Sequence, residues 1–372
     1  MLNEVNHQQS PRFRVGFFSR GKLGYQVLKK LLNDPKIEIP IIVTCRHTPE
    51  VGYTELDFKE LAENRNIPFY ITNSLNKPNW VELIRPLNLD LGLGMQWINT
   101  IGAAIISETR LGFLNLHGGK LPRYRGNACS NWAILNGEEE QGLCVHLMEP
   151  GRLDSGPIIL QERFPIKSDT YIEEIMDHFI SRGQQMIIEA VDLLALGKAT
   201  IESQPETGGL YCYPRLPRDG EIDWTKPAEQ IYRLVRAAGK PYPGAYSYYS
   251  DIKDSNCIKK LIIWKGHIEE HPGDFCAVPG HVLRLEANIA GQVGLAAPQT
   301  AVVCGDGKLL ILDDISINGH HVDASDTFRS VRQRLGLNTE QLLSEIGSLQ
   351  EQIKHLSQQL STLQSSGEYS IR

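Results

Sequence analysis

The residues of this chain best suited to chemistry gather in one stretch, Asn115-Leu116-His117-Gly118-Gly119-Lys120-Leu121-Pro122-Arg123-Tyr124-Arg125-Gly126. Asn115 and His117 alternate with apolar residues at the end of a strand predicted from Phe113 to Leu116, so their side chains share one face. The Gly118-Gly119 pair permits an abrupt turn and a close approach of a ligand to the backbone. Thirty-seven residues beyond His117 comes Asp154, in a second glycine-containing loop, Met148 to Gly156, that also follows a predicted strand. An amide, an imidazole and a carboxylate at strand ends suit acyl transfer. The amide donates to a developing oxyanion, the imidazole moves a proton, and the carboxylate orients or charge-stabilises the imidazole. No nucleophilic Ser or Cys is needed if the acceptor attacks directly. Taken alone, the three residues also fit a blander set: a capping Asn, a satisfied core His and a loop Asp.

The elements around them indicate what holds them. Short apolar runs at Phe13–Phe18, Ile39–Thr44, Ile67–Ile71 and Leu89–Leu93 alternate with segments of helical spacing, the first carrying Leu23, Val27, Leu28, Leu31 and Leu32. Strands alternating with helices imply βαβ units and a parallel sheet, whose ligand crevice lies at the carboxyl ends of the strands. Leu143–Met148 and Ile158–Ile166 extend the strand series, and Asp169 or Thr170 is expected to cap a long helix through Ile175, Phe179, Met186 and Leu193. A polar linker, Glu202 to Gly209, separates this part from a stretch of short β-rich runs punctuated by Gly and Pro. That stretch reads as a small antiparallel barrel or sandwich.

Composition narrows the class. The 372 residues are 41% apolar and 22% charged, with a formal charge of −6, which excludes a mostly disordered or collagenous chain. A mildly acidic chain is not expected to hold a polyanion over a broad surface. No apolar run reaches the ~18 residues of a membrane span, and the first residues lack the apolar core of a signal peptide. Seven scattered cysteines with no Cys-x-x-Cys pair suit reduced thiols, so a cytoplasmic location with no metal is expected. His320-His321 lacks companion ligands, and Gly21-Lys22-Leu23-Gly24 has neither common phosphate-loop spacing.

Asn115-Leu116-His117, Leu121-Pro122-Arg123-Tyr124-Arg125-Gly126, Trp132-Ala133-Ile134, Asn136-Gly137-Glu138 and Leu153-Asp154-Ser155-Gly156 together resemble the formyltransferase family that uses 10-formyltetrahydrofolate. Further along, Asp219-Gly220-Glu221-Ile222-Asp223-Trp224 and Pro241-Tyr242-Pro243-Gly244-Ala245 are similar to that family's methionyl-tRNA and amino-sugar branches. The resemblance implies an α/β fold with a Rossmann-like catalytic domain at 13–205 and a small β-rich, OB-like domain at 210–335, behind a flexible tail at 1–12. It implies Asn115, His117 and Asp154 as the catalytic set. It also places the pterin near Gly94, Met95, Gln96 and Trp97 and near Met148 and Gly151.

Lys120, Arg123 and Arg125 are three cations beside that site, able to meet a diphosphate or to anchor the loop by ion pairs; Tyr124 and Asn127 join them as candidate acceptor contacts. His146, on the strand before the Asp154 loop, reads as a packed or a substrate-contacting histidine. Gly119-Lys120-Leu121-Pro122 and Asn127-Ala128-Cys129 depart from the Ser-Leu-Leu-Pro and Ala-Ala-Pro usual in the tRNA branch, which bears on the acceptor more than on the reaction. That branch also carries a basic insertion where this chain has Arg46 to Glu60, with Glu50, Glu55, Asp57 and Glu60 against Arg46 and Lys59. The expected acceptor is therefore the amine of a nucleotide-linked amino-dideoxysugar, a glycan or lipopolysaccharide precursor, with no nucleic acid partner. Methionyl-tRNA formylation is the competing reading and a non-catalytic folate-binding protein a third.

Near the end of the chain Leu342, Ile346, Leu349, Ile353, Leu356, Leu360 and Leu363 are spaced 4, 3, 4, 3, 4, 3. This seam predicts a coiled-coil helix at 338–364, followed by a tail at 365–372, and with it a homodimer.

Overall fold

The computed structural model describes residues 11–46, 52–250, 258–270, 275–285, 299–330, 332–336 and 339–367. Most of the 1–12 and 365–372 tails, and residues 47–51 of the acidic stretch, lie outside them. Contacts group the chain into two units, Met1–Pro217 with Arg236–Pro243, and Arg218–Val235 with Gly244–Arg372.

In the first unit, β1 (Phe13–Phe18) leads through α1 (Gly21–Leu31) to β2 (Ile37–Glu38) and β3 (Ile42–Thr44). Then come α2 (Glu55–Glu63), β4 (Phe69–Ile71), α3 (Pro78–Ile84), β5 (Leu91–Leu93), α4 (Ala103–Ile106) and β6 (Phe113–His117). Beyond the site loop and its short β7 (Arg125–Gly126) lie α5 (Cys129–Asn136), β8 (Glu140–Leu147), β9 (Ile158–Pro165), α6 (Ile172–Ala195) and β10 (Tyr211–Cys212). The main sheet runs β4-β3-β1-β5-β6-β8-β9, with β2 also on β1. Both faces are covered, and neighbouring residues part between them. Phe17 and Leu114 join a core with Leu23, Val27 and Ile187, whereas Phe18 and Phe113 join one with Trp80, Ile84 and Ile101.

The sheet is parallel from β4 to β6, but β8 and β9 run antiparallel. The fully parallel expectation is corrected there: the link from β6 to β8 is not a βαβ crossover, so β8 returns alongside β6. The cap of the long helix also differs from expectation. Helix α6 begins at Ile172, where the Glu174 carboxylate accepts the Tyr171 N–H at 2.8 Å, while Thr170 Oγ1 accepts from Lys167 N at 3.0 Å.

The second unit opens with most of α7 (Ala228–Ala238), followed by β11 (Ala245–Ser250), β12 (Ile258–Glu269), β13 (Val282–Leu285), β14 (Gln299–Val303), β15 (Leu309–Ile317) and β16 (His320–Val322). These strands form a six-stranded sheet in the order β11-β12-β15-β14-β13, with β16 on β15. Its pairings are antiparallel, and a register shift near Lys265 interrupts the long β12–β15 pair. Two helices follow, α8 (Ala324–Thr327) and α9 (Thr339–Gly367). No helix among the described residues is long and apolar enough to cross a membrane.

Candidate active site

The site forms at the carboxyl end of β6, where a parallel strand meets its antiparallel neighbour. Register places Asn115 directly across from His146 and His117 across from Cys144. The Asn115 amide nitrogen donates to Asp154 Oδ1 and to His146 Nε2, each at 3.2 Å. His117 Nδ1 is 3.4 Å from Asp154 Oδ2, and His146 Nε2 is 3.4 Å from Asp154 Oδ1. One buried carboxylate therefore faces two imidazoles and an amide. Asp154, His117 and His146 are 8%, 6% and 1% exposed, which makes every contact in the cluster electrostatically strong.

Backbone partners set the histidine roles. His146 Nδ1 pairs with the Leu147 carbonyl at 2.8 Å, leaving Nε2 to accept from Asn115. His117 Nε2 donates to the Tyr124 carbonyl, which leaves Nδ1 facing Asp154. Burial lowers the His117 pKa below its ordinary 6.5, with Asp154 pulling the other way. That direction favours neutral imidazole at rest. A proton arriving at Nδ1 would be shared with Asp154 Oδ2.

Burial by itself would raise the Asp154 pKa; the positive charge that a protonated His117 or His146 brings against it, and the Gly126 N–H, which donates to Oδ2 at 2.9 Å, bring it down to about 2. A carboxylate depressed from 3.8 to about 2 contributes stability above the unfolded value and loses it as pH falls through the folded one. That contribution is roughly 2 kcal/mol. Urea unfolding from pH 5 to pH 2 should therefore show a loss of stability that Asp154→Asn largely removes; parallel curves for the two proteins would contradict this.

The Asp154 loop is anchored from a segment read in the sequence as linker. Gln204 Nε2 donates to the carbonyls of Asp154 and Gly156 at 2.9 and 2.7 Å, and its Oε1 accepts from Arg125 Nη2 at 2.7 Å. Beyond Gln204, β10 pairs with β7, Cys212 opposite Gly126. A lone Gln in a polar stretch carries no signal that would have found it.

The five acceptor candidates do not converge. Lys120 Nζ is 2.7 Å from Glu140, Arg123 is 3.3 Å from Glu138, and Arg125 is 2% exposed against Gln204 and Tyr211. All three cations already have protein partners, the arrangement that loop anchoring calls for, while the Arg123 side chain stays 53% exposed and Arg125 borders the cavity beside the Asp154 loop. Tyr124 is 1% exposed, its phenol donates to Glu138 at 2.7 Å, and burial foremost pushes that phenol up to about 12. Asn127 is exposed, with its backbone N–H on the Cys212 carbonyl.

The two candidate pterin loops adjoin, since a Cβ on Gly94 would run into Met148 Cε. Met95 is fully buried in the core, so only its backbone is placed for recognition, and its carbonyl already accepts from Ser19 Oγ. Gln96 Oε1 and Trp97 Nε1 are different: both are buried and neither has a hydrogen-bond partner. They are an unmatched acceptor and an unmatched donor on consecutive residues. Gly151 forms an open turn at φ +76°. A cavity of about 400 Å³ is lined by Arg125, Met148, Glu149, Arg152, Ser155 and Gln204 among others, but by neither Asn115 nor His117. The buried thiols nearby are held protonated: burial pushes Cys129 up and takes Cys144 to about 11. Neither is a ready nucleophile.

Residues 32–191 match the formyl transferase family and residues 216–332 match the formyl transferase C-terminal domain. The chain belongs to the formyl transferase family. Among solved structures it is similar to WlaRD, a sugar 3N-formyl transferase studied with dTDP and 5-N-formyl-THF, at 15% identity and TM-score 0.55, covering 84% of this chain and 100% of that one. An N-formyltransferase from Helicobacter canadensis, in complex with folinic acid and dTDP-3-aminofucose, is 17% identical at TM-score 0.55, with 81% and 98% covered. A 4-N formyltransferase from Francisella tularensis is 18% identical at TM-score 0.51, with 63% and 91% covered. At these identities the likeness is one of fold.

Proposed function

We propose that this enzyme moves a formyl group from 10-formyltetrahydrofolate to the amine of a UDP- or dTDP-linked 4-amino- or 3-amino-dideoxyhexose, in the cytoplasm. The observation that carries the reaction is the buried contact of Asn115, His117 and Asp154 within 3.2 to 3.4 Å. The attacking nitrogen bonds to the formyl carbon, and the Asn115 amide donates to the carbonyl oxygen as it gains charge, exchanging His146 for the substrate as acceptor. His117, neutral through burial, takes the proton released by that nitrogen, and the ionised Asp154 stabilises the resulting imidazolium. The carbon–nitrogen bond to the folate then breaks, and the proton passes to the departing nitrogen. Gln96 and Trp97 supply the unmatched polar atoms for the donor's pterin edge. With all three catalytic positions occupied, a purely folate-binding role is disfavoured.

The acceptor follows from charge. Transfer to tRNA requires clustered Lys and Arg to hold a long polyanion. The described part of the Arg46 to Glu60 stretch instead builds α2, with Glu55 and Asp57 in its first turn and Asp57 accepting the Thr54 N–H at 2.6 Å. A negative helix start repels phosphates. The relatives described with dTDP or a dTDP-amino sugar support the smaller acceptor. Comparing kcat/KM for dTDP- and UDP-linked amino sugars against charged initiator tRNA at low salt, where electrostatic binding is strongest, tests this. We expect a preference for a nucleotide sugar of about 10²-fold or more, at least the scale on which a pocket discriminates between closely similar substrates. Efficient tRNA formylation with every amino sugar refused would reverse the assignment.

A further inference from the structure

Helix α9 carries an apolar stripe that nothing in the described chain covers. Leu342, Ile346, Leu349, Ile353, Leu356 and Leu360 follow one another at intervals of 4, 3, 4, 3 and 4, and each is 45–63% exposed. Every side chain from Glu351 to Thr362 is exposed, around the full circumference of the helix. Six half-exposed Leu and Ile on one line amount to something on the order of 600 Å² of apolar surface, the top of the range for a patch on a monomer. The remaining residues are largely Gln and Ser, and a helix without packing is marginal in water. The stripe needs an occupant.

We propose that the occupant is the same stripe of a second copy, in a parallel, in-register two-stranded coiled coil. A strict 3.5-residue seam brings helices together by supercoiling, and β-branched Ile at a with Leu at d favours two parallel strands. Ile346 and Ile353 stand at a; Leu342, Leu349 and Leu356 stand at d, and Leu360 takes the last described a position. The flanking residues Gln350, Gln352, Ser357 and Gln359 are uncharged, so identical helices meet without like-charge repulsion. They also offer no charge pattern that would select a different, oppositely charged helix. The charged residues Glu340, Glu351 and Lys354 fall at b, f and b, away from the seam, and Glu345 falls at g, whose counterpart at e in a parallel pair is the uncharged Gln350. Leu363, at the next d position, has its side chain outside those described. The inference is independent of the proposed reaction.

Sedimentation of the full chain decides it. The wild type should run at twice 41.7 kDa at micromolar concentration. Full-length Ile346→Lys/Ile353→Lys should run at 41.7 kDa with its far-UV signal from the rest of the fold retained, because paired ammonium groups would be buried in the seam. As a second reading that does not depend on that variant folding, Leu349→Cys should cross-link into covalent dimers on mild oxidation, since parallel in-register helices put the two new thiols side by side. A monomeric wild type, which would leave the stripe to a different protein, overturns the proposal. So do a trimer, a double-lysine variant that associates as tightly as wild type, or a Leu349→Cys protein no more cross-linked than wild type.

Discussion

Replacing Asn115 by alanine should lower kcat by about 10²- to 10³-fold while KM for either substrate changes little, because loss of a single oxyanion donor costs about that much. The side chain donates to Asp154 and His146, so alanine leaves the Asp154 carboxylate and the transition-state oxygen short of a donor together. His117→Asn and Asp154→Ala should each cost about 10²-fold or more, the usual range for a positioned acid–base group. Since Asp154 touches both other residues, the double variants should lose much less than the product of the single losses. Activity should also decline toward low pH, where the attacking amine and His117 are protonated. A folded His117→Asn variant with near-wild-type turnover would remove the mechanism.

Gly119→Ala should disable the site from outside the catalytic set. A Cβ at this position would overlap the Tyr124 carbonyl oxygen and His117 Nε2, the two atoms whose hydrogen bond holds the imidazole. One of them must move. Displacement of a catalytic group by about 1 Å can cost on the order of 10²-fold in rate, so kcat should fall by that order. Overpacking of this kind destabilises by about 1–3 kcal/mol, and a urea titration should show it. Gly118→Ala is the control: its Cβ would meet Phe179 and Ser130 at 3.2–3.3 Å, groups with side-chain freedom to yield. Equal kinetics for the two variants would mean that the Tyr124 carbonyl does not position His117.

The sequence showed the parts of the site governed by local periodicity and not those governed by long-range pairing. Alternation along Phe113–His117 placed Asn115 and His117 on one face, and helical spacing located α1 and the body of α6. Nothing local indicated that β8 would turn back along β6, yet that reversal sets His146 across from Asn115. The Gly118-Gly119 pair suggested room for a ligand, whereas the crowding at Gly119 comes from the protein's own Tyr124 and His117. The sequence left Lys120, Arg123 and Arg125 open between phosphate contact and loop anchoring because their partners, Glu140, Glu138 and Gln204, lie 15 to 79 residues away. Charge alone does not reveal which cations already have protein partners. Gln204 was hidden for the same reason, its function depending on a loop 50 residues earlier.

The most direct test of the account is to supply the full-length protein with 10-formyltetrahydrofolate and dTDP- or UDP-linked 4-amino- and 3-amino-dideoxyhexoses, and to follow tetrahydrofolate release and the acceptor's mass together. The account predicts that at least one sugar gains a single formyl group on its amine in step with folate release, and that Asn115→Ala slows both by the same factor. Folate release with no formylated sugar, or sugar formylation that persists at the wild-type rate in folded Asn115→Ala, would contradict it.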